Sequence, residues 1–120
     1  MRRTSWVVLL LSLSLALSSS LFAQKTTGTI TGVVTDPQGA VVSGAQVTAT
    51  NQGTGLARVA TTNSSGVYVV PDLPPGTYEV RVKAPSFKEF IAKNVTLDTS
   101  STATINAALS VGAAGDQVTV

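Results

Sequence analysis

Residues 63–84 read NSSGVYVVPDLPPGTYEVRVKA. Asn63-Ser64-Ser65-Gly66 has the composition of a turn, because Asn bonds its own backbone and Gly supplies a positive φ. A short apolar run follows, in which Tyr68 and Val70 should face inward and Leu73 should close the bottom of a core. Pro71, Pro74 and Pro75 forbid a helix. Gly76 then releases the chain into Thr77–Ala84. There Tyr78, Val80, Val82 and Ala84 share one face, and Glu79, Arg81 and Lys83 share the other. Strict period-2 alternation marks a strand with one face buried and one wet, which implies an antiparallel sheet.

The flanking sequence repeats this grammar. Thr29–Thr35 reads as a strand with Ile30 and Val34 on one face. Gly32 lies between them, where a neighbouring element can approach closely. Asp36-Pro37-Gln38-Gly39 is a turn: the Asp carboxylate accepts from the backbone two residues on, Pro fixes φ and Gly ends it. Ala45–Asn51 alternates, with Ala45, Val47 and Ala49 on the inner side. Asn51–Gly55 is a turn. Leu56–Thr62 alternates poorly and is expected at a sheet edge, guarded by Arg58. Pro85-Ser86-Phe87 turns a corner, with Phe87 expected in the core. Lys88–Leu97 is a less regular strand carrying Phe90, Ile91, Val95 and Leu97. Thr102–Leu109 alternates with Ala103, Ile105, Ala107 and Leu109 inside. Gln117–Val120 looks like the start of another strand. About seven short strands separated by Gly, Pro, Asn and Asp turns predict an all-β, antiparallel β-sandwich.

The chain has 120 residues, enough for one small domain. Met1-Arg2-Arg3, the apolar run Trp6–Leu17 and the small-residue stretch ending at Ala23 form the layout of a helical secretory signal peptide, residues 1–23. As a membrane anchor the run falls short of the ~20 residues that span a bilayer. Residues 24–27 read as a leader, 28–111 as the sandwich, and 112–120 as a hinge and the start of a following segment. Without residues 1–23 the chain carries six basic and six acidic residues, so its net charge is zero. Scattered, balanced charge gives no electrostatic footprint for nucleic acid. The chain has no Cys and no His. Its stability must therefore come from the core rather than from disulfides.

Particular residues carry a family likeness. Gly32–Gly39 followed by Val42–Val47 resembles the pattern G-x-V-x-D-x-x-G-x-x-v-x-G-A-x-V. Asn63–Tyr68, Leu73–Tyr78 and Val80–Phe87 resemble t-[DN]-x-x-G-x-Y-x-x-x-x-L-x-P-G-x-Y-x-V-x-V-x-A-x-G-F. Together they resemble the carboxypeptidase regulatory-like domain, which implies a transthyretin-like β-sandwich over about residues 28–111. Pro85-Ser86 departs from the pattern, which often has Gly before the Phe. A signal peptide, this domain and a Gly/Ala hinge leading to Gln117-Val118-Thr119-Val120 resemble the N-terminus of Oar-like TonB-dependent outer-membrane receptors. In those proteins a plug and a barrel come next. Neither is in this sequence, so the chain reads as a fragment, a truncated frame or a stand-alone module. The resemblance implies export to the periplasm, the outer membrane or the exterior, and a protein partner or covalently following receptor domains. A glycan partner, in a stand-alone adhesive module, and an accessory domain of a secreted enzyme are the alternatives.

No catalytic, cofactor-binding or metal-binding residues are expected. Without His and Cys there is no Ser-His-Asp or Cys-His site and no carboxypeptidase-type zinc set. No calcium loop is present. Glu79 and Glu89 could form a carboxylate pair for glycoside chemistry, but each sits among Lys and Arg on a polar face. Gly53-Thr54-Gly55 lacks the helix a phosphate loop needs and is a hairpin turn. Asn63-Ser64-Ser65 and Asn94-Val95-Thr96 match the short N-glycosylation pattern, which the bacterial resemblance disfavours. The Cna B-type domains of similar architecture carry a Lys–Glu-assisted isopeptide bond. Val34 and Val82 stand at the corresponding positions, so no cross-link is expected. Tyr68, Tyr78, Phe87 and Phe90 could make a sugar-stacking platform, but their inward parity favours core packing.

Overall fold

A computed structural model describes residues 26–112 and 116–120. The expected signal peptide over residues 1–23, Gln24, Lys25 and residues 113–115 of the expected hinge lie outside the described residues. Nine strands follow in order: β1 Gly28–Thr35, β2 Gln46–Asn51, β3 Ala57–Thr61, β4 Val67–Leu73, β5 Gly76–Lys83, β6 Glu89–Leu97, β7 Thr102–Thr104, β8 Ala107–Ala108 and β9 Gln117–Thr119. There is no helix among the described residues. One sheet has the order β4-β1-β7, with β8 also on β1; the other has the order β3-β2-β5-β6-β9. This is an all-β sandwich.

The 63–84 stretch forms as its sequence dictates, but its two strands go to different sheets. The turn at Pro74-Pro75 carries the chain from β4 in one sheet to β5 in the other. The inner faces meet in one core in which Val34, Val47, Tyr68, Leu73, Tyr78, Val80 and Val82 are all fully buried. Burying a side chain of this size stabilises the fold by about 1.5–3 kcal/mol each. β3 is an edge strand with most of its residues exposed, as its poor alternation indicates.

Two irregularities in alternation are β-bulges of the same construction. In the β1–β4 ladder Ile30 faces Val70 and Gly28 faces Leu73, so β4 carries one extra residue at Pro71-Asp72. In the β5–β6 ladder Val80 faces Ala92 and Tyr78 faces Val95, so β6 carries one extra residue at Lys93-Asn94. Asp72 and Asn94 take left-handed φ values of 57° and 58°. Asp and Asn tolerate that region better than most residues because their short polar side chains bond locally. Each bulge resets parity, so Val70 and Leu73 both point inward, as do Ala92 and Val95. Pro71 fits because β4 is an edge strand and needs one fewer donor.

The last third of the chain departs from the antiparallel expectation. β7 and β8 run parallel to β1, and β9 runs parallel to β6. The alternating segment Thr102–Leu109 is also two short strands rather than one. The break falls at Ile105-Asn106, where the Asn106 side-chain oxygen accepts from Val33 N at 3.0 Å. A side chain thus replaces a ladder carbonyl, and pairing resumes at Ala107.

Gly32 explains why the break falls there. A Cβ at Gly32 would lie 1.9 Å from the Ile105 carbonyl oxygen and 2.9 Å from the Tyr68 ring. The Tyr68 hydroxyl donates to that same carbonyl at 2.5 Å. Glycine, tyrosine and a folded-in carbonyl therefore join β1, β4 and the β7–β8 break. Tyr78 makes the other clamp, donating to Pro74 O four residues upstream at 2.6 Å. That bond closes the Pro74-Pro75-Gly76 turn in the manner of a tyrosine corner.

Candidate functional site

The polar side chains fall into three groups. The first is a pair of matching loops. Asp36 Oδ1 accepts from Gln38 N and Ala40 N, each at 2.9 Å. Asn63 Oδ1 accepts from Ser65 N at 2.9 Å and Val67 N at 3.0 Å. In each loop the residue three positions on is a glycine with positive φ, Gly39 at 83° and Gly66 at 71°. The loops meet through backbone bonds from Val34 N to Gly66 O and from Val42 N to Val34 O. Their carboxylate and amide oxygens are thus occupied in holding the chain's own turns. The αL backbone of Asn94 likewise gives the second glycosylation-pattern Asn a structural role.

The second group is an ion-pair row on the outer face of β5 and β6. Arg81 Nε bonds Glu79 Oε1 at 2.8 Å, Arg81 Nη1 reaches Glu89 Oε1 at 3.4 Å, and Lys83 Nζ lies 3.9 Å from the same oxygen. Glu79 and Glu89, weighed in the sequence as a carboxylate pair and read as residues of a polar face, share the Arg81 guanidinium between them. Such partly exposed pairs contribute little stability, about 0–1 kcal/mol each. Among the described residues no group of three or more His, Cys, Asp or Glu side chains is placed to hold a metal ion.

The third group is buried and was not singled out in the sequence. Asn51 is almost fully buried, and its Oδ1 accepts from Gly53 N and Thr54 N at 2.9 and 3.0 Å. Its amide nitrogen lies where a Cβ on Gly76 would stand, 2.8 Å away. Thr62 Oγ1 accepts from Ala45 N at 2.9 Å and donates to Val42 O at 2.7 Å. No buried side-chain nitrogen or oxygen among the described residues lacks a partner. Asn51 and Thr62 thus bond within the fold itself.

The aromatic residues give the same answer. Tyr68, Tyr78 and Phe90 are buried, and Phe87 is half-buried against the core. Burial pushes the Tyr68 hydroxyl up to about 12, in keeping with a phenol that keeps its proton and donates it to Ile105 O. Phe87, Pro85, Gln46, Lys83 and Glu89 line an open groove of about 480 Å³ at the β5–β6 corner. Ser86 takes φ 69° there, the strained form of a position where glycine would be at ease. A second groove, of about 550 Å³, follows the seam between β6 and the β7–β8 segment.

The described residues form a β-sandwich whose buried polar side chains are all hydrogen-bonded. Residues 29–110 match the carboxypeptidase regulatory-like domain, and the chain belongs to that family, whose fold is regulatory-like and non-catalytic. No curated protein matches the chain. Among solved structures, the TIE protein of Bacillus anthracis is similar at 21% identity and TM-score 0.61, over 72% of this chain and 17% of that one. A putative carbohydrate binding protein from Bacteroides uniformis is similar at 20% identity and TM-score 0.55, over 69% of this chain and 41% of that one. Hydroxyquinol 1,2-dioxygenase from Pseudomonas putida is similar at 10% identity and TM-score 0.58, over 76% of this chain and 58% of that one. In each case the likeness covers less than two thirds of the other protein, and at these identities it concerns the fold alone.

Proposed function

We propose that this chain is an exported, non-catalytic β-sandwich module whose role is contact or spacing within a larger cell-envelope protein, of the TonB-dependent receptor kind. The observation that carries this reading is that, among the described residues, every buried side-chain nitrogen and oxygen is hydrogen-bonded and the paired loops hold their own turns. A site built for catalysis leaves groups aimed at a reacting atom. Support for a module within something larger comes from the three similar structures described above, of which this chain covers 17% to 58%. The basic, apolar and small-residue regions of residues 1–23 support export. A reporter enzyme that is active only after export, fused behind Val120, tests the address. Activity with the native leader, lost when residues 1–23 are removed, is the expected result. Equal activity without the leader contradicts export.

The glycan-binding alternative depends on exposed aromatic rings, which sugars need for stacking. Three of the four candidate rings are buried, so that reading rests on Phe87 in the corner groove. A glycan array probed with the purified chain checks it, and a blank array is the expected outcome.

A further inference from the structure

We propose that this sandwich carries tension along its own chain: β1 and the β7–β8 segment form a shear clamp between the point where the chain enters the sandwich and the point where it leaves. A module with such a clamp passes a pull from one neighbour to the next without opening. The inference concerns the sandwich alone, so it holds or fails separately from the address and the larger protein proposed above.

Three observations carry it. The first is the direction of three strands. β1 opens the family unit of residues 29–110, and β7 and β8 close it. They lie side by side and parallel: Thr29 faces Thr102 at one end, and Thr35 faces Ala108 at the other. The chain thus enters at one end of this pair and leaves at the opposite end. A pull between entry and exit is directed along the strands. The bonds between the strands lie across that direction, so they share the load and must yield together. Had the closing strands run antiparallel to β1, entry and exit would lie at the same end. The bonds would then open one after another.

The second observation is how far the bonding extends. Thr29 N donates to Ser101 O at 3.0 Å, Ile105 N to Thr31 O at 2.8 Å and Leu109 N to Thr35 O at 2.8 Å. At the break between β7 and β8 the Asn106 side chain fills in, accepting from Val33 N at 3.0 Å. Bonds therefore span β1 from its second residue to its last. On its other side β1 is paired with β4, which keeps it from moving away from the clamp. Beyond Leu109, Lys88 N donates to Ser110 O at 2.7 Å and Gly112 N to Ser86 O at 3.2 Å. These bonds tie the outgoing chain to the corner between β5 and β6, so a pull does not simply peel β8 from its end.

The third observation is a steric catch. Positions 30, 32 and 34 share the inner face of β1, and Ile30 and Val34 are fully buried there. Gly32 leaves a gap between them, and the Ile105 carbonyl oxygen occupies it, 1.9 Å from where a Cβ on Gly32 would stand. The Tyr68 hydroxyl, donating from β4 at 2.5 Å, holds that carbonyl in place. For β7–β8 to slide along β1, the carbonyl must leave the gap and meet the side chain of Ile30 or of Val34. Ladder bonds resist sliding by their own strength alone, and this carbonyl adds a barrier of shape.

The chain has no Cys, so introduced thiols define the pulling points. The chain from Gln24 to Val120 is held between DNA handles in optical tweezers in two geometries. Thr26→Cys with Val111→Cys loads the parallel pair in shear. Gln38→Cys with Val111→Cys takes hold of both strands beyond the same end and opens them as a zipper. All three positions are exposed, and circular dichroism confirms that each variant folds. Expected is an unfolding force several-fold higher in shear than in the zipper geometry at one loading rate. Forced unfolding reports the unfolding barrier rather than equilibrium stability. Asn106→Ala should lower the shear force and leave the zipper force nearly unchanged, and Asn106→Asp, which keeps the acceptor, should restore it. Asn51→Ala, in the other sheet, should lower thermal stability without lowering the shear force. Equal forces in the two geometries overturn the proposal. So does Asn106→Ala that leaves the shear force unchanged or lowers both forces alike, or a shear force that simply follows thermal stability across the variants.

Discussion

Gly32 is the residue on which the last third of the chain depends. Any side chain there meets the Ile105 carbonyl at a distance that only backbone movement can relieve. Gly32→Ala should lower stability by about 3 kcal/mol or more, as overpacking against backbone does, read as a lower urea midpoint. Tyr68→Phe leaves the Ile105 carbonyl without its hydroxyl partner and should cost about 1–3 kcal/mol. The same substitution isolates a pH effect. Tyr68 ionises at about 10.0 in the unfolded chain and about 12 in the fold. Between those values the unfolded chain has given up the proton and the folded chain keeps it, so unfolding gains and stability falls as pH rises. The full contribution is present below pH 10. The native protein should lose stability more steeply than Tyr68→Phe from pH 10 to 12, and parallel curves would refute the assignment. Asn51 and Thr62 show what sequence reading overlooked. Asn51 continues the inward parity of Ala45, Val47 and Ala49, a signal that was available. The partners that make its burial tolerable belong to other segments, and no local pattern names them.

At the scale of elements, strict alternation was readable and its interruptions were not. β2 and β5 follow period 2 from end to end and appear in the structure as the sequence implies. β4 and β6 break parity once each, and a left-handed Asp72 or Asn94 is what absorbs the break. Asn94→Gly should be near neutral, whereas Asn94→Val should cost about 1–2 kcal/mol because a β-branched residue resists that φ; thermal unfolding of the pair measures the difference. Parallel placement of β7, β8 and β9 was hidden for another reason. Short strands carry little pattern, and their direction is set by which sheet edge the chain reaches after a turn, here through Asp98–Ser101 and the long-range bond of Asn106. Phe87, expected inside, is only half-buried because it sits at the corner where the chain leaves β5.

For the molecule as a whole, the sequence made the family legible because the family is defined by its turns. Asp36–Gly39, Asn63–Gly66 and Leu73–Tyr78 are read locally, and they determine which strands cross between sheets. Function was less legible, since the described polar groups serve the fold and a contact surface has no comparable motif. The account predicts that the mature protein lies in the cell envelope as the N-terminal part of something larger. The most direct test is to isolate the endogenous protein with antibody raised to residues 26–120, then determine its N-terminal sequence and intact mass. An N-terminus at Gln24 and a mass well above the 12.2 kDa of the 120 residues, recovered from the envelope fraction, is the predicted result. A cytoplasmic 12.2 kDa species that begins at Met1 would contradict it.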